Sequence, residues 1–357
     1  MRVSEEAPNI PTVKVGVLTA GGDCPGLNAV IRAVTRRCLS AGHEVVGLLR
    51  GYLGLAERNY VALDMRSVSG ILPLGGTILS TSSFDPFREP DGVQKVLAAI
   101  ADDRFDAIVA IGGEHTMSIT QRLWEEHRAP VIGVPKTIDN DVPRTDYTFG
   151  FDTAVQIATD AIDRLHTTAQ SHDRVMVIEV MGRNTGWIAV FSGIAGGADA
   201  ILVPELELTV EEICDAINTR HDRGKLFSIV VVAEGAELAF ASGERRKVRA
   251  SMDVDQYGYP RLGGIGQALG REIENRTGFE TRVTTLGHVQ RGGSPTATDR
   301  VLATRYGVKA ADLVTQQQFG QMTSLRGREM TSVSLGEVEG IKQVDPSYLE
   351  LASTFFG

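Results

Sequence analysis

The segment VPKTIDNDVP, residues 134–143, places a lysine and two aspartates close together, directly after a short apolar run. An aspartate such as Asp139 can take the proton of a substrate hydroxyl during phosphoryl transfer, and a second acid, Asp141, can hold a sugar or a metal. Lys136 can neutralise charge that develops on the transferring phosphoryl group. The same residues also suit a polar turn closed by Pro143, and the segment alone leaves both interpretations open.

Two glycine-rich turns follow other apolar runs. GGDCPG, which contains Gly22, follows VKVGVLTA and precedes a predicted helix. Backbone N–H groups and the helix dipole favour a phosphate at such a position, although a tight turn capped by Asp23 is the alternative. GGEHT follows DAIVAI and offers Glu114, which either holds Mg²⁺ against a phosphate donor or complements the N-terminus of the next helix.

Basic residues occur where strand-like segments begin or end. Four arginines share this placement and do not form a surface charge run: Arg174, Arg183, Arg282 and Arg291. Arginine binds phosphate with a planar fork and keeps its charge, so four of them favour a ligand with more than one phosphate. A surface ion pair is the commoner role for any one arginine. His288 either hydrogen-bonds a ligand or is structural, and Tyr52 either stacks on a base or packs internally.

Short Val/Ile-rich runs alternate with helical patterns along the chain, which predicts parallel sheets covered on both faces. The predicted strands are VKVGVLTA, HEVVGLL, FDAIVAIGG, APVIGVP, RVMVIEVMG, AILVPE, LFSIVVVAEG and TRVTTLGH. Predicted helices include LNAVIRAVTRRCLSAG, ended by Gly42, and residues 155–165 and 210–221. Ligands of open α/β sheets bind beyond the carboxyl ends of the strands, so we expect the polar loops there to build one cleft.

The bulk properties exclude several classes of protein. A chain of 357 residues suffices for two domains, and its net charge of −9 argues against nucleic-acid binding. Three cysteines without a close pairing favour a reducing compartment and no disulfides. The N-terminus lacks the apolar stretch of a signal peptide, and no apolar run approaches membrane-spanning length. We therefore expect a cytoplasmic protein that binds no membrane.

Taken together, the motifs resemble those of the phosphofructokinase A family. GGDCPGLN, GGTIL, PKTIDND, TDYTFGFDTA, VIEVMGR and LGHVQRGGSP occur in the family's order, from about residue 13 to about residue 320. The resemblance implies an α/β fold of two doubly wound, Rossmann-like domains with the active site in the cleft between them. The expected donor-binding domain comprises residues 1–150 and about 290–340, and the sugar-phosphate domain comprises residues 151–289 and about 341–357.

The resemblance also implies roles for individual residues. Asp139 would take the proton of the 1-hydroxyl of fructose 6-phosphate, with Lys136 and Arg183 as the other catalytic residues. The implied sugar-phosphate ligands are Thr137, Asp141, Arg174, Met181, Gly182, Glu234, Arg282, His288 and Arg291. Arg174 and Arg282 would reach the site of a neighbouring subunit, which implies a homo-oligomer, either a dimer or a tetramer. The implied donor-binding residues are Gly22, Tyr52, Glu114, His115 and Thr116, with Glu114 also serving Mg²⁺.

The donor side departs from the family's pattern. In the family, the residue that follows the acid of GG[DE] is glycine in enzymes that use ATP and aspartate in enzymes that use pyrophosphate. In this chain the residue is His115. Lys136 is of the pyrophosphate type, although some ATP-using bacterial relatives also keep this lysine. Bulk at both His115 and Ile119 argues mildly for a small donor. Ser80 and Ser83 stand where the family usually has a glycine and an arginine, so a cation that normally reaches the phosphoryl group is missing.

The sequence therefore predicts a Mg²⁺-dependent 6-phosphofructokinase, with pyrophosphate slightly favoured over ATP as the donor. The departures at Ser80, Ser83 and His115 keep a second hypothesis open. In it, a divergent paralogue phosphorylates or diphosphorylates another ketose phosphate, such as sedoheptulose 7-phosphate or an epimer of fructose 6-phosphate. A third hypothesis is an inactive sugar-phosphate sensor, against which the presence of Asp139 argues.

Overall fold

The computed structural model describes residues 12–254 and 260–356, with side chains described for residues 12–248 and 262–356. Residues 1–11, where the sequence shows no signal peptide, lie outside the described residues. Among the described residues, no helix is both long and apolar enough to cross a membrane.

The elements alternate between strands and helices along most of the chain. The strands are β1 (Lys14–Thr19), β2 (Glu44–Leu48), β3 (Tyr60–Ala62), β4 (Ala107–Gly112), β5 (Val131–Pro135), β6 (Val175–Val180), β7 (Ala200–Leu202), β8 (Ser228–Ala233), β9 (Glu237–Ala239), β10 (Arg245–Lys247), β11 (Arg249–Val254), β12 (Pro260–Leu262), β13 (Thr281–Thr285), β14 (Gln321–Arg326) and β15 (Glu329–Ser334). The helices are α1 (Leu27–Ser40), α2 (Tyr52–Ala56), α3 (Gly92–Asp102), α4 (Glu114–His127), α5 (Phe151–His172), α6 (Trp187–Ala195), α7 (Val210–Asp222), α8 (Ile265–Thr277), α9 (Ala297–Thr315) and α10 (Pro346–Ser353), with 3-10 turns at Gly287–Arg291 and Leu335–Glu337.

The chain divides into two compact units. The first unit comprises Met1–Lys136, Arg144–Phe149 and Ala297–Glu339. The second unit comprises Thr137–Pro143, Gly150–Thr296 and Gly340–Gly357. Residues 137–143, which the sequence analysis placed in the donor-binding domain, are grouped with the second unit.

The first unit is built on a seven-stranded sheet in the order β15-β14-β5-β4-β1-β2-β3. The strands from β14 to β2 are parallel, and β15 and β3 add antiparallel edges. All six residues of β4 are buried, as expected for a parallel strand covered on both faces. Because Thr19 pairs with Ile111 and Gly112 with Pro135, the loops after β1, β4 and β5 start side by side.

The second unit contains a parallel four-stranded sheet in the order β13-β6-β8-β7. Buried residues of β6 and β8, such as Val177 and Val230, pack with apolar residues of α7 and α8, such as Ile213 and Leu269. Thr285 pairs with Glu179, and Val180 pairs with Ala233, so the loops after β13, β6 and β8 also leave one edge together.

The predicted α/β architecture is confirmed. All eight strands predicted from apolar runs are present, and α1 ends before Gly42, which has the left-handed φ of 83° expected there. The helix predicted over residues 155–165 is longer and spans Phe151–His172.

Candidate active site

Three loops of the second unit meet at the carboxyl ends of β6, β8 and β13. The Glu234 N–H donates to the Val180 carbonyl at 2.9 Å, and the Gly235 N–H donates to the Gly182 carbonyl at 3.0 Å. Gln290, in the 3-10 turn after β13, is fully buried and accepts a hydrogen bond from the Met181 N–H at 3.4 Å. The polar residues of these loops are therefore held by backbone contacts.

Glycine is required twice where these loops cross. A Cβ on Gly235 would lie 1.8 Å from the Arg183 carbonyl oxygen, which no side chain tolerates. Gly182 has a φ of 139°, and its Cβ would lie 2.5 Å from the Thr185 carbonyl oxygen. The loop that carries Arg183 thus approaches its neighbours as closely as a backbone can.

The Glu234 carboxyl shares its surroundings with other charged groups of the second unit. Its pKa is raised from 4.5 to about 7, mainly by burial and then by the charge of Asp139, although the guanidinium groups of Arg183 and Arg291 lower it. An acid can respond to these charges only when they are near. Two carboxyls and two guanidinium groups are therefore gathered beyond one edge of the sheet.

Residues 137–143 form a polar turn that also presents a carboxylate. The Asp139 N–H donates to Thr137 Oγ1 at 3.1 Å, and the buried Asn140 has a left-handed φ of 52°, which asparagine tolerates. The Thr185 hydroxyl donates to the Asp139 carbonyl at 3.3 Å, which ties this turn to the loop after β6. A polar turn and a chemical role for this segment do not exclude each other, because the turn fixes the backbone of Asp139.

A residue that the sequence analysis missed supports this turn from the far end of the chain. Lys342 Nζ donates to Asn140 Oδ1 at 2.9 Å, and its backbone N–H donates to the Asp141 carbonyl at 2.8 Å. The Trp187 indole N–H donates to the Lys342 carbonyl at 3.0 Å. No local sequence pattern around Lys342 points to this contact.

Two of the predicted arginines lie away from this group. Arg174 directly precedes β6 and Arg282 is the second residue of β13, whereas Arg183 follows the opposite end of β6. At about 3.3 Å per residue, the length of β6 separates the two ends by roughly 20 Å. Arg174 Nη2 lies 2.9 Å from Glu280 Oε1, and Arg282 binds the same carboxylate.

In the first unit, Lys136 lies against the turn that follows β1. It is 3% exposed; its ammonium donates to the Gly22 carbonyl, and its backbone N–H donates to the Gly112 carbonyl at 2.8 Å. Helix α1 starts at Leu27 with Gly26 as its N-cap, so Asp23 does not cap it. Lys136 of the PKTIDND motif is therefore in direct contact with the GGDCPG turn.

The first turn of α4 carries the remaining predicted donor-side residues. Glu114 is exposed, Thr116 is buried, and His115 Nε2 lies 3.3 Å from Asp85 Oδ2. In the part of the chain that the structure describes, no group of three or more acidic, histidine or cysteine side chains could hold a metal. Mg²⁺ is often bound by only one or two carboxylates together with substrate phosphates, and the exposed Glu114 carboxylate fits that kind of site.

Tyr52 is 1% exposed, and its hydroxyl lies 2.8 Å from Thr120 Oγ1. Burial strongly raises the pKa of this phenol. The structure favours internal packing of Tyr52 over stacking on a base.

The phosphofructokinase family model matches residues 14–314. The chain belongs to the phosphofructokinase family. A pyrophosphate–fructose 6-phosphate 1-phosphotransferase of Streptomyces coelicolor is 50% identical over 347 residues, which cover 97% of this chain and 100% of that protein. An ATP-dependent 6-phosphofructokinase 3 of the same organism is 49% identical over 346 residues, covering 95% of this chain and 98% of that protein.

A solved structure of phosphofructokinase from Saccharomyces cerevisiae matches with a TM-score of 0.76 and 29% identity. The match covers 96% of this chain but only 46% of the yeast chain, so this chain spans about half of that protein.

Proposed function

We propose that this protein is a 6-phosphofructokinase that transfers a phosphoryl group to the 1-hydroxyl of fructose 6-phosphate and produces fructose 1,6-bisphosphate. The observation that carries the proposal is the gathering of Asp139, Glu234, Arg183 and Arg291 in the second unit. A general base, a sugar ligand and two phosphate-binding cations are the groups that this acceptor needs. The relative at 50% identity is named as a fructose 6-phosphate 1-phosphotransferase, and the relative at 49% identity is named as a 6-phosphofructokinase.

On the acceptor side, Asp139 takes the proton of the 1-hydroxyl as that oxygen attacks the phosphoryl group. Arg183 stabilises the negative charge of the transition state with its fixed fork of N–H donors. The other residues bind the sugar phosphate: Thr137, Asp141, Met181, Gly182 and Glu234 contact the sugar, and His288 and Arg291 hold the 6-phosphate.

On the donor side, Gly22, His115 and Thr116 line the phosphates. Lys136 neutralises charge on the transferring group, and the Gly22 carbonyl fixes its ammonium. Mg²⁺ held by Glu114 would supply further neutralisation of the phosphate oxygens when it is bound.

Pyrophosphate is the favoured donor. His115 stands where ATP enzymes of the family have glycine, and the buried Thr116 and Ile119 leave the first turns of α4 closely packed. Tyr52 is turned inward, which removes one candidate for stacking on a nucleobase. These features suit an inorganic donor better than a nucleotide.

The active enzyme is a homo-oligomer in which Arg174 and Arg282 bind the 6-phosphate held by a neighbouring subunit. Both arginines lie at the edge of the sheet opposite Arg183, about the length of a strand away. They are therefore too far from Arg183 to bind the same sugar phosphate within one chain. Their shared partner, Glu280, keeps the two guanidinium groups together.

A reducing, cytoplasmic setting is consistent with the cysteines. Cys24, Cys38 and Cys214 are all buried, and none of them forms a disulfide. Burial raises the pKa of Cys214 to about 11, which keeps it protonated and unreactive at neutral pH.

The test is an assay of the purified protein with fructose 6-phosphate, Mg²⁺ and either pyrophosphate or ATP, with the product identified by ³¹P and ¹³C NMR. Fructose 1,6-bisphosphate is the expected product. No turnover with either donor would refute the proposed function. Turnover only with sedoheptulose 7-phosphate, or only with an epimer of fructose 6-phosphate, would show that this sugar phosphate is the substrate. Binding without turnover would identify a sensor.

A further inference from the structure

The side chain of Asp85 joins three groups of the first unit. Its Oδ1 accepts the Phe87 N–H at 2.9 Å. Its Oδ2 lies 3.3 Å from His115 Nε2 and 3.3 Å from Arg88 Nε. The carboxylate is 11% exposed and its partners are more open, at 27% for His115 and 58% for Arg88. A sheltered carboxylate thus holds one nitrogen of each of two side chains that are partly open to solvent.

The segment that carries Asp85 is anchored on α4 at a second point. The ring of Phe87 lies 3.6 Å from the Arg122 guanidinium carbon and stacks beside His127, with ring centroids 6.4 Å apart. Asp85 contacts the first turn of α4, and Phe87 contacts its later turns. The segment that carries Arg88 is therefore held against α4, and the Arg88 side chain is anchored at its Nε on Asp85.

The same segment runs beside the turn that follows β1. Thr81 Oγ1 donates to the Gly21 carbonyl at 2.6 Å, and the Gly21 N–H donates to the Ser82 carbonyl at 3.0 Å. Ser83, which stands where the family has an arginine, comes next in the chain. Asp85 and Arg88 thus follow closely after the position at which a cation is missing.

We propose that Asp85 is a positioning residue that holds Arg88 and His115 at the site of the phosphoryl donor, where the remaining N–H groups of the Arg88 guanidinium donate to the phosphate oxygens. Arg88 supplies the positive charge that Ser83 cannot, and its planar guanidinium suits the oxygens of pyrophosphate. The inference rests on the proposed function, since it names the residues that select the donor.

The decisive variant is Asp85→Asn. Asparagine keeps an oxygen for the Phe87 N–H but loses the charge that holds Arg88. The KM for Mg-pyrophosphate should rise about tenfold or more, as expected when charged hydrogen bonds are lost, and the KM for fructose 6-phosphate should stay nearly constant. Arg88→Ala should raise the same KM, and adding Ser83→Arg to Asp85→Asn should restore most of the donor affinity.

The matched control is Asp64→Asn. Asp64 is also a turn aspartate of the first unit, and it accepts the N–H groups of Arg66 and Ser67 at 2.9 and 2.6 Å. This variant should leave both KM values unchanged. An unchanged pyrophosphate KM in Asp85→Asn, or an equal rise for both substrates, would overturn the inference.

Calorimetric titration with Mg-pyrophosphate in the absence of sugar separates this inference from the proposed function. A wild-type protein that binds pyrophosphate but does not phosphorylate fructose 6-phosphate refutes the function. The affinity loss in Asp85→Asn then still decides the role of Asp85. If the wild type neither binds nor uses pyrophosphate, the proposal that Arg88 and His115 select this donor is wrong.

Discussion

The ammonium of Lys342 lies 2.9 Å from Asn140 Oδ1, and the Lys342 N–H donates to the neighbouring Asp141 carbonyl. Asn140 is fully buried with a left-handed φ of 52° and stands between the two aspartates of the PKTIDND turn. The last segment of the chain therefore holds the turn that directs Asp139.

Replacement of Lys342 by methionine should reduce both stability and activity. It removes a charged donor to a buried amide, a loss of about 1–3 kcal/mol, and loosens the turn that carries Asp139. We expect a lower midpoint of thermal unfolding and a kcat reduced about tenfold. Lys225→Met, at an exposed lysine of the same unit, is the control. Equal behaviour of the two variants would mean that Lys342 does not position the turn.

Asp139→Asn should abolish phosphoryl transfer while sugar-phosphate binding stays largely intact. The amide keeps the shape of the side chain but cannot accept the proton of the 1-hydroxyl, so kcat should fall by about 10²- to 10⁴-fold. Steady-state kinetics measures this loss, and calorimetric titration with fructose 6-phosphate measures binding. A variant that retains wild-type turnover would show that Asp139 is not the base.

The stability of the protein should carry a pH dependence due to Glu234. Its pKa is raised from 4.5 to about 7 by burial, then by Asp139. Between these values the folded state keeps a proton that the unfolded chain has lost, so stability falls as pH rises through this window, by on the order of 3 kcal/mol. Glu234→Gln removes this titration and should therefore be more stable than the wild type above about pH 7.

Thermal unfolding of Glu234→Gln and the wild type at several pH values checks this sign. The difference in midpoint should be small near pH 5 and should grow towards about pH 8. Glu212→Gln is the matched control, because hydrogen bonds from Thr209 lower the Glu212 pKa and keep this carboxylate ionised across that range. A Glu234→Gln difference that does not change with pH would contradict the raised pKa.

The sequence predicted the parts of the fold that depend on local pattern. Buried Val/Ile runs such as β4 and β6 were identified because a parallel strand is apolar on both faces. The short strands β3 and β9, with three residues each, were missed because they lack such runs.

The site was predictable where a motif follows a strand and unpredictable where distant segments meet. Lys136 and Asp139 stand in one motif, whereas Lys342 reaches Asn140 from about 200 residues away. Asp85 and His115 stand in different segments of the first unit, and only the fold brings them within 3.3 Å. Residues that position others carry no local signature, because their partners are set by tertiary structure.

The identity of the donor can be tested through Lys136. Lys136→Gly removes the ammonium that binds the Gly22 carbonyl beside the predicted phosphate site. We expect kcat/KM with pyrophosphate to fall far more than kcat/KM with ATP, by at least about tenfold, because the lysine stabilises charge in the transition state. Parallel assays with both donors give the ratio. Equal losses with the two donors would disprove the assignment of Lys136 to pyrophosphate.

The action of Arg282 across a subunit interface can be tested by mixing two inactive variants. Asp139→Asn lacks the base, and Arg282→Ala lacks the proposed phosphate ligand of the neighbouring site. A hybrid dimer of the two contains one intact site, formed by Asp139 of one subunit and Arg282 of the other. Random reassembly should therefore restore about a quarter of wild-type activity. Each variant reassembled alone is the control. If Arg282 served its own chain, every site in the hybrid would lack one group and mixing would restore nothing.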